Sequence, residues 1–178
     1  MRWYWIDQFI EFESGRYAKA VKCVSLAEDH LHDHFPNHPV LPATLVIEGM
    51  AQTGGLLLCE HNRFAEKVVL AKIPKVEFFS EAAPGDTLVY TATIEYVNPS
   101  GAAVAAVSHK GGQLHARAEI VFAHLNSPQV ESLFDPESLL SMMNVLGAFR
   151  VGRAADGSRL RPPPSLLQAA ARPASEGL

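Results

Sequence analysis

The sequence predicts an α+β fold in which one enclosed helix lies against an antiparallel sheet. Three observations carry this reading. Residues 42–58, PATLVIEGMAQTGGLLL, are apolar on nearly every side, and a helix of that kind is surrounded by protein rather than laid on a surface. Four later stretches alternate with Gly/Pro turns, the pattern of consecutive antiparallel strands. Two more strand-like runs precede the helix. The far side of such a helix stays bare unless the sheet curves strongly or a second copy of the chain covers it.

The elements follow in order. FIEFESGRYAKAVKCVSL gives two strands around the turn residues Ser14 and Gly15. Residues 28–41 form a loop rich in His, Asp and Pro. Pro42 opens the helix, because its fixed φ suits a first turn whose N–H groups have no partner. Gly49, Gly54 and Gly55 lower helix propensity, which implies close approach of neighbouring backbone. VVLAKIPKVEFF, TLVYTATIEYV, AAVAAVSHK and QLHARAEIVFAHL then form a meander, with PGD, NPSG and Gly111-Gly112 as turns. The folded domain is expected over 1–126. Residues 127–178 are expected to be a C-terminal extension, with a short helix capped at Asp135 and opened by Pro136. From Gly152 the Ala, Arg, Pro and Gly content predicts a mostly disordered tail.

Composition narrows the function. A formal charge of −4 without a Lys/Arg cluster argues against nucleic acid as a partner. Asp7, Glu11 and Glu13 interrupt the aromatic N-terminus too soon for a signal-peptide core. Glu48 interrupts a helix already too short for a membrane span. A cytoplasmic protein with two buried, reduced thiols, Cys23 and Cys59, is the expectation.

Glu48 is the residue that calls for a chemical explanation. It lies past the region where a helix dipole favours acids, and Thr44 is four residues before it, so the two do not form a capping box. Among Val46, Ile47 and Met50, an ionised carboxylate needs a partner or a function. Gln52, one turn on, is spaced to orient it. His30, His32, His34 and His38 precede the helix, with Asp29 and Asp33 among them. His-x-His spacing suggests metal ligation, but a single catalytic histidine is the preferred reading and no metal is expected. His34, in a proline-bracketed loop, is the best-placed base, with His38 as the alternative. The amides of Ala43 and Thr44 at the helix start can face a developing negative charge. Base, acid and oxyanion donors together suit removal of a proton α to a thioester carbonyl with loss of a β-hydroxyl.

The run HFPNHPVLPATLVIEGMAQ resembles the signature of the 3-hydroxyacyl-[acyl carrier protein] dehydratases. His34, Phe35, Pro36, Pro39, Pro42, Glu48, Ala51 and Gln52 match in spacing. KIPKVEFFSEAAPGDTL is similar to the same family's strand and Pro-Gly-Asp turn. The resemblance spans roughly residues 5 to 125. It implies a hot-dog fold, a long helix wrapped by a curved antiparallel sheet. It also implies a homodimer, often assembled into a trimer of dimers, whose sites combine His34 of one chain with Glu48 of the other. In family terms His34 removes the α-proton, Glu48 protonates the departing hydroxyl and the Ala43 amide polarises the thioester. The substrate is then a (3R)-3-hydroxyacyl group on acyl carrier protein, the product a trans-2-enoyl thioester, and no cofactor is involved. Ala43 stands where the family's pattern has glycine, which bears on the width of the acyl pocket. A thioesterase on the same fold and a non-catalytic acyl-thioester-binding protein are the alternatives.

Overall fold

The computed structural model describes residues 3–125 and 136–164. A hairpin comes first, β1 (Gln8–Glu13) and β2 (Tyr17–Cys23), then a single turn of helix, α1 (His30–Asp33). The long helix α2 (Ala43–His61) is followed by β3 (Lys67–Phe78), β4 (Thr87–Asn98), β5 (Gly101–Lys110) and β6 (Gln113–Leu125). Two short helices, α3 (Pro136–Val145) and α4 (Ala148–Val151), lead into β7 (Gly152–Arg153). The proline expected to open the main helix sits one residue ahead of it, in extended conformation (φ −52°, ψ 133°), and its carbonyl accepts from Leu45 and Val46. The α1 turn lies within the stretch expected to be loop.

The seven strands form one sheet in the order β3-β6-β5-β4-β2-β1-β7. The expected meander holds for β4, β5 and β6 but not for β3, which pairs with β6. Strand β2 pairs with β4 along its full length, from Tyr17↔Thr93 to Cys23↔Thr87, so the place beside β4 is taken. Strand β3 therefore closes the opposite edge. Helix α2 touches β2, β3, β4, β5 and β6. Five strands about 4.8 Å apart span roughly twice the ~10 Å width of a helix, so all reach it only if the sheet curves around it. This is the hot-dog arrangement.

Packing sets how deeply α2 sits. Met50, Leu57 and Leu58 on the helix meet a core that includes Phe9, Tyr90, Val104, Ile120 and Phe122. The helix glycines face side chains more than backbone: Gly54 faces Val104 and Gly55 faces the Phe122 ring. Gly49 is the tightest of the three, since a Cβ there would lie 2.5 Å from Tyr90 Cε2 and 2.9 Å from the Trp5 carbonyl oxygen. Cys59 is buried, and burial pushes its thiol up to about 12. Cys23, expected to be buried, ends β2 on an exposed position.

Helix α3 is described from Pro136, and the expected start with its cap at Asp135 falls at the boundary of the described residues. Leu140, Met143, Phe149 and Leu160 join the same core as α2. Strand β7 runs parallel to β1 (Phe12↔Gly152), and Leu160 donates its N–H to the Gly152 carbonyl. The stretch from Gly152 to Leu160 thus folds back on β1 where the composition predicted the start of a tail. The remainder of that tail, from residue 165, lies outside the described residues, as does the division expected at residue 126.

The Gly49 contact yields a stability prediction. Gly49→Ala gains helix propensity but overpacks a rigid site, so a net loss of about 1–3 kcal/mol is expected. Urea unfolding followed by circular dichroism checks this, and an unchanged or raised midpoint contradicts it.

Candidate active site

The loop ahead of α2 fixes His34 by its backbone and its ring together. His34 Nδ1 lies 2.9 Å from the Val40 carbonyl oxygen, while the Val40 N–H donates to the His34 carbonyl. A carbonyl only accepts, so Nδ1 carries the proton and Nε2 keeps a free lone pair. The Phe35 ring stacks on the imidazole at 4.1 Å between centroids. The other histidines of this stretch are directed elsewhere. His38, the alternative base, is on the surface against Glu81 at 3.1 Å. His30 packs edge-on against Trp5, and His32 reaches the Leu26 carbonyl at 3.3 Å. Among the described residues no group of three His, Cys, Asp or Glu is placed to hold a metal ion.

His34 opens on a cavity of about 210 Å³. Ala43 and Val46 from the first turn of α2 form one wall, and Val40, Phe78, Ala82 and His115 lie around it. The N–H groups of Ala43 and Thr44 make no hydrogen bond among the described residues. Ala43 has helical backbone, so the conformation at this position does not require glycine.

Glu48 and Gln52 do not line that cavity. A helix turns about 100° per residue, which puts Glu48 about 140° around the axis from Ala43. The acid is half-buried rather than enclosed, and Gln52 supplies its partner: Nε2 donates to Glu48 Oε1 at 2.9 Å. The same amide group donates to the Trp3 carbonyl and accepts from the Trp5 N–H, both at 2.9 Å. The N-terminal segment therefore locks the side chain that orients the acid. One chain brings His34 and Ala43 together and holds Glu48 and Gln52 on another face of the same helix.

His115 is the cavity residue that sequence reasoning missed. Period-two alternation puts it outward with Arg117 and Glu119. Between the pairs Ser108↔Ala116 and His109↔Leu114, however, β6 has one residue more than β5, and that residue is His115. A bulge of this kind re-aims a side chain. His115 is only 1 % exposed, with Nδ1 2.9 Å from Ser108 Oγ and Phe78 edge-on to its ring. Burial holds its pKa below the usual histidine value, with Lys110 acting in the same direction and Asp86 opposing. A larger hollow of about 1080 Å³ lies between the end of α2 and residues 154–164, and none of the candidate site residues lines it.

A hot-dog fold with a histidine-lined cavity at the start of its central helix defines the class. The family model described as the FabA-like domain matches residues 4–122, and the chain belongs to that family. It is 34 % identical over 119 residues to the 3-hydroxyacyl-[acyl-carrier-protein] dehydratase FabZ of Caldicellulosiruptor bescii, covering 66 % of this chain and 85 % of that one. The FabZ dehydratase of Sulfurovum sp. is 41 % identical over 92 residues, covering 48 % of this chain and 62 % of the relative. Among solved structures, the dehydratase heterocomplex ApeI:P of Xenorhabdus doucetiae superposes with a TM-score of 0.60 at 16 % identity, over 73 % of this chain and 88 % of that one, a likeness of fold. No helix among the described residues is long and apolar enough to cross a membrane.

The depressed His115 pKa predicts a pH dependence. The unfolded chain binds the proton more readily than the folded one, so this stability is present above the unfolded value, about 6.5, and is lost as pH falls below it. His30, also lowered by burial, acts in the same window. Urea midpoints measured from pH 7.5 to 5 should fall, and His115→Leu should flatten that fall. Equal slopes in the two proteins contradict the assignment.

Proposed function

We propose that this chain dehydrates a (3R)-3-hydroxyacyl thioester carried on acyl carrier protein, giving the trans-2-enoyl thioester and water in a cytoplasmic acyl-chain synthesis. The observation that carries the reading is the joint placement of a base with a free Nε2 and two unpartnered helix-start amides on one small cavity. His34 Nε2 takes the proton from the α-carbon. The electron pair moves toward the carbonyl, and the Ala43 amide donates to the oxygen as charge grows there. The pair then returns to form the α–β double bond as the β-hydroxyl leaves, protonated to water by Glu48. The proton held on His34 restores Glu48 through solvent, so the cycle balances without a cofactor.

Glu48 reaches this chemistry from a second copy. Its angular separation from Ala43 turns it away from its own chain's cavity, and Gln52 holds it there. The cavity, at about 210 Å³, is smaller than the roughly 300–1,000 Å³ usual for ligand sites, as befits half a site. Strand β3 offers the docking edge. It is twelve residues long, is paired with β6 alone among the described residues, and carries Leu70, Val76 and Phe78 exposed. Phe78 belongs both to that edge and to the cavity, so a copy docked on β3 meets the site.

Incubation with a 3-hydroxyacyl thioester of acyl carrier protein, with enoyl absorbance and free thiol followed separately, tests the reaction. Enoyl product without thiol release is expected, and thiol release alone would identify a thioesterase. His34→Ala and Glu48→Gln should each fold and lose about 10²–10⁴-fold in rate, the usual worth of a general acid or base. Full activity in either variant contradicts its role.

A further inference from the structure

The bulge at His115 has a consequence for what the cavity accepts. Ser108 is fully buried, and its hydroxyl hydrogen has one acceptor among the described residues, His115 Nδ1. That assignment leaves the imidazole proton on Nε2, which makes no hydrogen bond to any described residue. In the cavity wall Val40, Phe78 and Ala82 offer no side-chain acceptor; Ser80 and Glu81 also line it, but neither is hydrogen-bonded to His115, and the exposed Glu81 carboxylate pairs with His38. The imidazole is kept neutral by its burial, so it acts as a donor without carrying charge. A plain hydrocarbon chain packed against this N–H leaves it unpaired, which is costly for a buried polar group. A chain with an oxygen there satisfies it.

We propose that His115 is a specificity-determining residue, presenting Nε2–H to an oxygen on the acyl chain and favouring oxygen-bearing acyl groups over plain hydrocarbon ones. The acceptor belongs to the chain beyond the reacting carbons. In the dehydration proposed above, on which this inference rests, the carbonyl oxygen is served by the Ala43 amide and the β-hydroxyl by Glu48. His115 comes from a different wall, β6, and is aimed by a backbone irregularity rather than by alternation. Ser108 is a positioning residue, because it fixes which nitrogen carries the proton.

The test compares two 3-hydroxyacyl thioesters of equal chain length, one with a further hydroxyl or ether oxygen and one with methylene in its place. Wild-type protein should favour the oxygenated chain in kcat/KM by about tenfold or more. His115→Leu should abolish that preference, bringing the kcat/KM values of the two chains together. Ser108→Ala should weaken it, and His115→Gln, which restores a donor, should recover part of it. A wild-type preference for the plain chain overturns the proposal, as does an unchanged ratio in His115→Leu or, should that variant not fold, in Ser108→Ala. Non-reacting amide analogues of both chains, titrated calorimetrically into the same proteins, separate the two claims. Absence of enoyl product from either thioester defeats the dehydratase reading, and the amide binding ratio then judges His115 alone. A wild-type ratio near one in that titration overturns the inference.

Discussion

The rotation of α2 about its own axis is the constraint on which the rest of the molecule depends. Five strands touch this helix, and Gly49 is pressed against the Tyr90 ring and the Trp5 carbonyl, so the helix can neither turn nor slide without a clash. Its residues are therefore assigned to fixed directions. Ala43 and Val46 face the His34 cavity, while Glu48 and Gln52 face the N-terminal segment. Ala43 and Glu48, about 140° apart around the helix, do not face one cavity within a single chain. The proposed sharing of the site between two copies rests on that rotation.

The supporting contacts hold His34 and Glu48 each in its own frame. On the loop side, the paired hydrogen bonds between His34 and Val40 set both the ring's direction and its tautomer. On the helix side, the Gln52 amide bridges Glu48 to the backbone at Trp3 and Trp5, which ties the acid to the start of the chain. Folding the hairpin and seating the helix are thus coupled to the geometry of the acid. The curved sheet supplies the enclosure, and the β3 edge, paired with β6 alone among the described residues, is the proposed place where a second copy adds.

Much of this was legible in the sequence because it rests on local patterns. The apolar run marked the enclosed helix, the Gly/Pro turns marked the strands, and the i,i+4 spacing of Glu48 and Gln52 marked their hydrogen bond. What escaped notice was non-local. The place of β3 depends on β2 occupying the position beside β4, which no short-range pattern records. Alternation alone would turn His115 outward and cannot reveal the bulge, and the two residues flanking it give no turn signal. Glu48 was read as enclosed because its sequence neighbours are apolar, whereas its angular position leaves it half-exposed with Gln52 as its partner. The packing of Leu160 on the core was hidden by an Ala/Pro-rich context that favours disorder.

Subunit mixing tests the proposed two-chain site directly. Separately purified His34→Ala and Glu48→Gln proteins are combined in equal amounts, exchanged to verified hybrid dimers, and assayed for enoyl formation. Hybrids carry one intact pair and one doubly impaired pair, so activity should rise from near zero to about a quarter of the wild-type rate. Continued inactivity after verified exchange contradicts the account, because it would mean that the base and the acid must come from one chain.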